Sequence, residues 1–277
     1  MKTLNRFLII GNDKRFEYIG RWLLEQKNAV YWYHPDSYDP IDGICYVNDV
    51  LPTDYALLPV PMRVIEKQFK CDCDTMINKL HKDTMIFGGL IPTQLQLKLQ
   101  QRCFDYGRTG EFTEQNAVPT AEGAIEIAMQ HTPFMLENAK VCVVGFGKIG
   151  KVLTQKLIGL SCDVTATARK ENDLKHIRSL GIKAVETKDL YLQKPFQIIF
   201  NTVPEVVIDR LVLLSQNTNT LIIDLASNPG GVDVKTAKEN NISVIHALSL
   251  PSRHCPQTAA KIIYDIIMKQ IKKEETL

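Results

Sequence analysis

The sequence predicts an α/β protein of two doubly wound domains joined by crossing helices, the second domain a Rossmann sheet with a glycine-rich loop. Three observations predict it. Apolar runs of strand length alternate with helix-spaced segments through most of the chain. The alternation breaks once, after residue 118, where a single helical segment stands between two alternating blocks. The apolar run Val141-Cys142-Val143-Val144 leads straight into Gly145-Phe146-Gly147-Lys148-Ile149-Gly150. At 277 residues the chain exceeds the usual single-domain size, which favours two domains with a cleft between them.

In the first block, residues 4–10 form a strand, and Phe16, Ile19, Trp22, Leu23 and Gln26 follow at helical spacing. Further strands are expected at 29–33, 55–60 and 84–87. The first strand ends Ile10-Gly11-Asn12-Asp13, a glycine turn without a full nucleotide fingerprint, so residues 1–118 read by elimination as a substrate domain. A helix over 120–132, within a 119–137 crossing segment, leads to the second domain at 138–254. There the strands fall at 141–144, 164–168, 182–185, 196–200, 220–224 and 243–246. The closing segment, 255–277, carries Ala259, Ile262, Ile263, Ile266, Ile267 and Ile271, the apolar stripe of one amphipathic helix. Packing back on the first domain and packing on the second are both open to it.

A bare G-x-G-x-x-G is a weak signal, but here a strand precedes it, the helical pattern Val152, Leu153, Lys156, Leu157, Leu160 follows, and a second strand arrives on schedule. Gly145 permits the tight turn, Gly147 lets backbone amides approach a pyrophosphate, and Gly150 lets helix and strand pack closely. The loop thus reads as a dinucleotide site, with the phosphates at a helix N-terminus. A selector of NAD usually carries an acid about 20 residues further on, to accept from the ribose 2′-OH. This chain has Thr167-Ala168-Arg169-Lys170 there, and a cation pair suits a 2′-phosphate. NADP is therefore expected ahead of NAD. Ligands on such sheets bind beyond the carboxyl ends of the strands, which adds Asn201-Thr202-Val203-Pro204, Asp224-Leu225-Ala226 and the 247–254 loop to the site.

Composition excludes other classes. A formal net charge of +2 with no basic stripe argues against a nucleic-acid partner. No apolar run approaches membrane-spanning length, and no signal peptide is visible, so a cytoplasmic protein is expected. Seven cysteines at irregular spacing read as reduced residues, and Cys71-Asp72-Cys73 as an ordinary surface loop. No metal site is expected. His34, His81, His131 and His176 have no motif around them, His246 reads as the end of a buried strand, and His254 as a solvent-facing loop residue.

The combination Pro119-Thr-Ala-Glu-Gly-Ala-Ile125, Val144-Gly-Phe-Gly-Lys-Ile-Gly150, Asn201-Thr-Val-Pro204, Asp224-Leu-Ala-Ser227 with Pro229-Gly-Gly-Val-Asp233, and Ala247-Leu-Ser-Leu-Pro251 strongly resembles the dipicolinate synthase A-subunit family. The resemblance covers nearly the whole chain. It implies NADP-linked oxidation of a dihydrodipicolinate-type intermediate to pyridine-2,6-dicarboxylate during sporulation, in the mother cell, the partner being a flavoprotein-like B subunit. Ser252-Arg253-His254-Cys255 departs from the Gly-Lys-like pair expected there, which keeps a positive charge but changes its reach.

A substrate with two carboxylates calls for cations, hydroxyls or helix N-termini. Arg253, Arg108 and the helix start at Thr120 are candidates, Ser249 and Ser252 are placed to hydrogen-bond a carboxylate, and Asn116 or Glu122 to orient the ring nitrogen. Of these, Arg253, Ser249 and Glu122 are assigned to the reacting centre, and Arg108, Asn116, Thr120 and Ser252 to substrate binding. Two other readings stand beside this one. One is a nucleotide-binding scaffold whose partner holds the substrate. The other is a different two-domain hydroxyacid or amino-acid dehydrogenase, which normally places a His with a carboxylate partner, or a Lys, at the reacting carbon, and no such pair is obvious in the sequence. Assembly into a homo-oligomer is left open.

Overall fold

Short Val- and Ile-rich runs, apolar on both faces, cannot stay in water and are long enough only for strands, which dictates parallel sheets covered by helices on either side. The computed structural model describes residues 4–33 and 40–276. In chain order it contains β1 (Arg6–Ile10), α1 (Arg15–Glu25), β2 (Ala29–Tyr33), β3 (Cys45–Val47), β4 (Tyr55–Leu57), α2 (Val64–Phe69), α3 (Cys73–Asn78), β5 (Met85–Gly88), α4 (Thr93–Leu99), β6 (Cys103–Asp105), α5 (Gly110–Gln115) and α6 (Ala117–His131). There follow β7 (Lys140–Val144), α7 (Lys148–Gly159), β8 (Asp163–Ala168), α8 (Glu171–Ser179), β9 (Lys183–Glu186), β10 (Ile198–Asn201), α9 (Arg210–Leu214), β11 (Leu221–Asp224), α10 (Val234–Glu239), β12 (Ser243–His246), α11 (Leu250–His254) and α12 (Pro256–Glu274). The chain divides into two units, Met1–Asn116 with Cys255–Leu277, and Ala117–His254.

The first unit is a parallel sheet in the order β3-β2-β1-β4-β5-β6. One face buries Phe7, Ile9 and Trp32 against Phe16, Ile19 and Leu23 of α1 and Ile263, Ile266 and Ile267 of α12. Trp22 meets Tyr264 edge-on with ring centres 5.5 Å apart. The opposite face buries Leu8, Ile10 and Ala56 under Ile65, Met76 and Leu95. The glycine turn after β1 is filled by its own protein: Gln68 Oε1 accepts from the Asn12 amide at 3.0 Å and its Nε2 donates to Asn12 O at 3.2 Å.

The second unit has the order β12-β11-β10-β7-β8-β9, the Rossmann arrangement expected from the sequence, with the chain reversal between β7 and β10. Val141, Val143, Ile198, Phe200 and Ile223 face α6, α7 and α11 on one side. Cys142, Val144, Ile199 and Ile222 face the α9 and α10 side. Burial pushes the Cys142 thiol well above its usual range and the Cys73 thiol up to about 12.

Four features differ from the sequence reading. The first sheet has two additional edge strands, β3 and β6, each of three residues. The helix expected from Thr120 begins at Ala117, because Pro119 falls in its first turn, where no N–H is needed. Thr120 is accordingly buried within the helix rather than at its start. The loop expected over 247–254 closes into α11, with Pro251 as its second residue.

Candidate functional site

Gly145, following β7, has φ +93°, and a Cβ there would lie 2.6 Å from Thr202 Oγ1. A Cβ on Gly150 would sit 2.1 Å from Gly145 O, so the helix is seated against the turn by absence of a side chain. A Cβ on Gly147 meets no described residue within 4 Å, chain neighbours aside. Gly147 is the N-cap of α7 and supplies no side-chain oxygen to its amides, and no acid occupies the first turn. The helix end therefore presents donors and a positive dipole beside open space, which fits a pyrophosphate. Phe146 is buried, 5.4 Å from the His176 ring and beneath Lys151 Nζ, and Ile149 packs on the core, so these two contribute backbone to the bend and side chains to its support. Lys148 begins α7.

At the tip of β8, Thr167 Oγ1 accepts from the Gly145 amide at 3.3 Å. Arg169 is exposed and donates from one guanidinium nitrogen to Glu205 Oε2 at 3.1 Å, and Lys170 is the N-cap residue of α8. Arg169 lines a cavity of about 400 Å³ with Thr187, Tyr191, Val207 and Leu211.

Asn201 and Asp224 end neighbouring strands and are both buried. Asn201 Nδ2 donates to Asp224 Oδ1 at 2.8 Å and to Val203 O at 2.9 Å, and its Oδ1 accepts from the Val203 amide at 3.1 Å. Asp224 also accepts from the amides of Ala226 at 3.1 Å and Gly231 at 2.9 Å. Both side chains are thus committed to holding the two loops, a support role that the motifs do not announce. Thr202 Oγ1 donates to Val144 O at 2.9 Å, binding the loop after β10 to the glycine turn, while Pro204 is exposed and Leu225 and Ala226 are buried. Gly231 is required because a Cβ would lie 2.2 Å from Val203 O.

Beyond β12, Ser249 adopts φ +58° and its carbonyl accepts from Ser252 Oγ at 2.9 Å and from the Arg253 amide at 3.3 Å. Arg253 is exposed and makes no ion pair among the described residues. His254 does not face solvent as expected. Its Nδ1 lies against Glu126 Oε2 at 2.5 Å, its Nε2 is buried without a hydrogen-bond partner among the described residues, and Gly123 leaves the ring its space. A His–carboxylate pair is therefore present, contrary to the sequence reading, between residues 128 positions apart. His246 is likewise more exposed than expected and bonds Ala226 O at 2.9 Å, while His34 lies outside the described residues.

Glu122 lies in the second turn of α6 and is paired with Lys156 Nζ of α7 at 2.7 Å. Arg108 and Asn116 belong to the other unit. Arg108 donates to Gln96 Oε1 at 3.0 Å with Asp105 at 3.5 Å, and Asn116 is the C-cap residue of α5. The structure thus brings Ser249, Ser252 and Arg253 into one turn and does not add Glu122 to it. Cys71 and Cys73 flank Asp72, the N-cap of α3, whose side chain accepts from the Thr75 amide at 2.6 Å. Among the described residues no group of three or more His, Cys, Asp or Glu side chains is arranged to hold a metal ion, and no helix is long and apolar enough to cross a membrane.

Sheet order, glycine loop and the paired loops after β10 and β11 define a Rossmann-type dehydrogenase fold suited to a nicotinamide nucleotide. Within that class the chain is similar, end to end, to the A subunit of dipicolinate synthase, in keeping with its motifs. It is 29% identical to the dipicolinate synthase A subunit of Bacillus subtilis (strain 168), with 99% of each chain covered. No family model matches. Crystal structures of the dipicolinate synthase A subunit from Bacillus halodurans (TM-score 0.85, 27% identity, 98% of each chain) and of its counterpart from Bacillus subtilis (TM-score 0.85, 28% identity, 100% of this chain and 98% of that one) superpose on it. A transhydrogenase from Sinorhizobium meliloti shares the fold, with TM-score 0.69 at 14% identity over 96% of this chain and 94% of that one.

Proposed function

We propose that the chain is the A subunit of a dipicolinate synthase and carries out NADP-linked oxidation of a dihydrodipicolinate-type intermediate to the pyridine dicarboxylate. The observation that carries this reading is the glycine bend at Gly145–Gly150, complete in sequence and geometry, within a chain similar to that enzyme component from end to end. A bound nicotinamide nucleotide would supply the hydride acceptor. The chain's own work is positioning, since aromatising a dihydropyridine gains stability and calls for little acid–base help. The amides at the start of α7 hold the pyrophosphate, and the Asn201–Asp224 pair keeps the two neighbouring loops rigid. Arg169 receives the 2′-phosphate. Arg253, exposed and free of carboxylate partners among the described residues, is the cation for a substrate carboxylate, with the Ser249 turn beneath it. The partner in this reading is a B subunit, and the setting a sporulating cell.

The test is absorbance at 340 nm on mixing the purified chain with NADP and chemically generated dihydrodipicolinate. Turnover by the chain alone supports the proposal. Turnover that requires a second protein supports a scaffold role instead, and none under either condition refutes the assignment.

A further inference from the structure

We propose that Glu205, on the loop after β10, is a cofactor-discriminating residue that works against a 2′-phosphate and so narrows the preference for NADP over NAD. The proposal rests on reading the Gly145–Gly150 bend as a dinucleotide loop. Arg169 stands at the end of β8, where a sheet of this type meets the ribose 2′ position. Its guanidinium is held by Glu205 Oε2 at 3.1 Å, with side chains 70% and 65% exposed.

The other charges around the same cavity are also engaged. Lys188 Nζ pairs with Glu186 Oε2 at 2.8 Å, and Asp209 caps α9 through the Val212 amide at 3.0 Å. Both cations lining the cavity therefore already have a carboxylate, and Asp209 adds another negative charge. A dianionic phosphate that reaches Arg169 must displace Glu205 or sit beside it. A 2′-hydroxyl meets no such opposition, because a carboxylate accepts its hydrogen bond. Glu205 thus penalises one cofactor and tolerates the other. Because the pair is solvent-exposed, the exchange is inexpensive, and removing the carboxylate changes affinity by a few-fold rather than by orders of magnitude.

The test is calorimetric titration of the full chain with 2′,5′-ADP and with 5′-AMP, in wild type, Glu205→Gln, Arg169→Gln and the double variant, with melting curves to check folding. Glu205→Gln is expected to bind 2′,5′-ADP about two- to fivefold more tightly at low salt. The gain should shrink as salt is added, be absent for 5′-AMP, and disappear when Arg169 is also replaced. An unchanged or weaker affinity for 2′,5′-ADP, or an equal gain for 5′-AMP, overturns the role of Glu205. If wild type binds neither probe, the dinucleotide reading itself falls, and the role of Glu205 with it.

Discussion

Two glycines of the same bend make opposite predictions, and together they separate folding from binding. Gly147→Ala places a methyl where, chain neighbours aside, no described residue lies within 4 Å, at φ −75° and ψ −164°, an extended conformation open to any residue. The folded state pays no steric cost, and the unfolded chain loses freedom, so stability should hold or rise by about 0.4–1 kcal/mol. On the proposed reading, the same methyl stands where a pyrophosphate would have to approach the first amides of α7. Losing one charge-assisted hydrogen bond there costs about 1.5–3 kcal/mol, roughly ten- to a hundredfold in Kd. Gly150→Ala instead drives a Cβ to 2.1 Å from Gly145 O, a backbone atom with no way to swing aside. Overpacking of this kind costs about 1–3 kcal/mol, and the bend must distort as well. Melting curves and calorimetric NADP titrations on both variants read the two effects independently. Wild-type affinity in Gly147→Ala, with a normal melting curve, would refute the assignment of the bend as a phosphate cradle.

Arg169→Asp should weaken NADP binding by several-fold to about tenfold, since the side chain is solvent-exposed and each exposed charge pair is worth up to about 1 kcal/mol; equal affinity by titration would remove Arg169 from the 2′-phosphate site. Arg15→Ala should destabilise the chain by about 3–5 kcal/mol. It strips the largely covered Asp13 carboxylate of bonds at 2.9 and 2.6 Å, and chemical denaturation would show it. Asp54 carries a pH signature. Desolvation raises its pKa, but the hydrogen bonds and charge of Arg6 together hold it below the usual carboxylate range. Its contribution is therefore present above the unfolded value near 4 and fades as pH falls through the lower folded value. Asp54→Asn should cost at most about 1 kcal/mol at pH 7, since the pair is half-exposed, and that difference should vanish toward strongly acidic pH in denaturation curves.

The strands of the second unit are legible in the sequence because β7, β10 and β11 are short, β-branched apolar runs closed by Gly, Asn or Asp, and length and closing residues decide for a buried strand over a helix. β3 and β6 are not, because three residues at a sheet edge carry too little burial to impose a period; Cys45–Val47 is only half-covered. Pro119 and Pro251 suggest helix boundaries, yet proline is tolerated in a first turn, which displaces the expected start of α6 and conceals α11. In the site, the glycines are visible because each answers a local backbone demand. The Asn201–Asp224 and Glu126–His254 pairs join residues brought together only by the fold, so no spacing rule announces them. The Arg169–Glu205 pair is half visible, since the end of a second strand is where a sequence reader looks for a cation, whereas a loop acid 36 residues later has no such address.

The most direct measurement is a crystal of the chain grown with NADP and dipicolinate. A pyrophosphate should lie against the amides following Gly145, a 2′-phosphate at Arg169 and a carboxylate at Arg253. A nucleotide lying elsewhere, or the Gly145–Gly150 bend without one at saturating NADP, would contradict this placement.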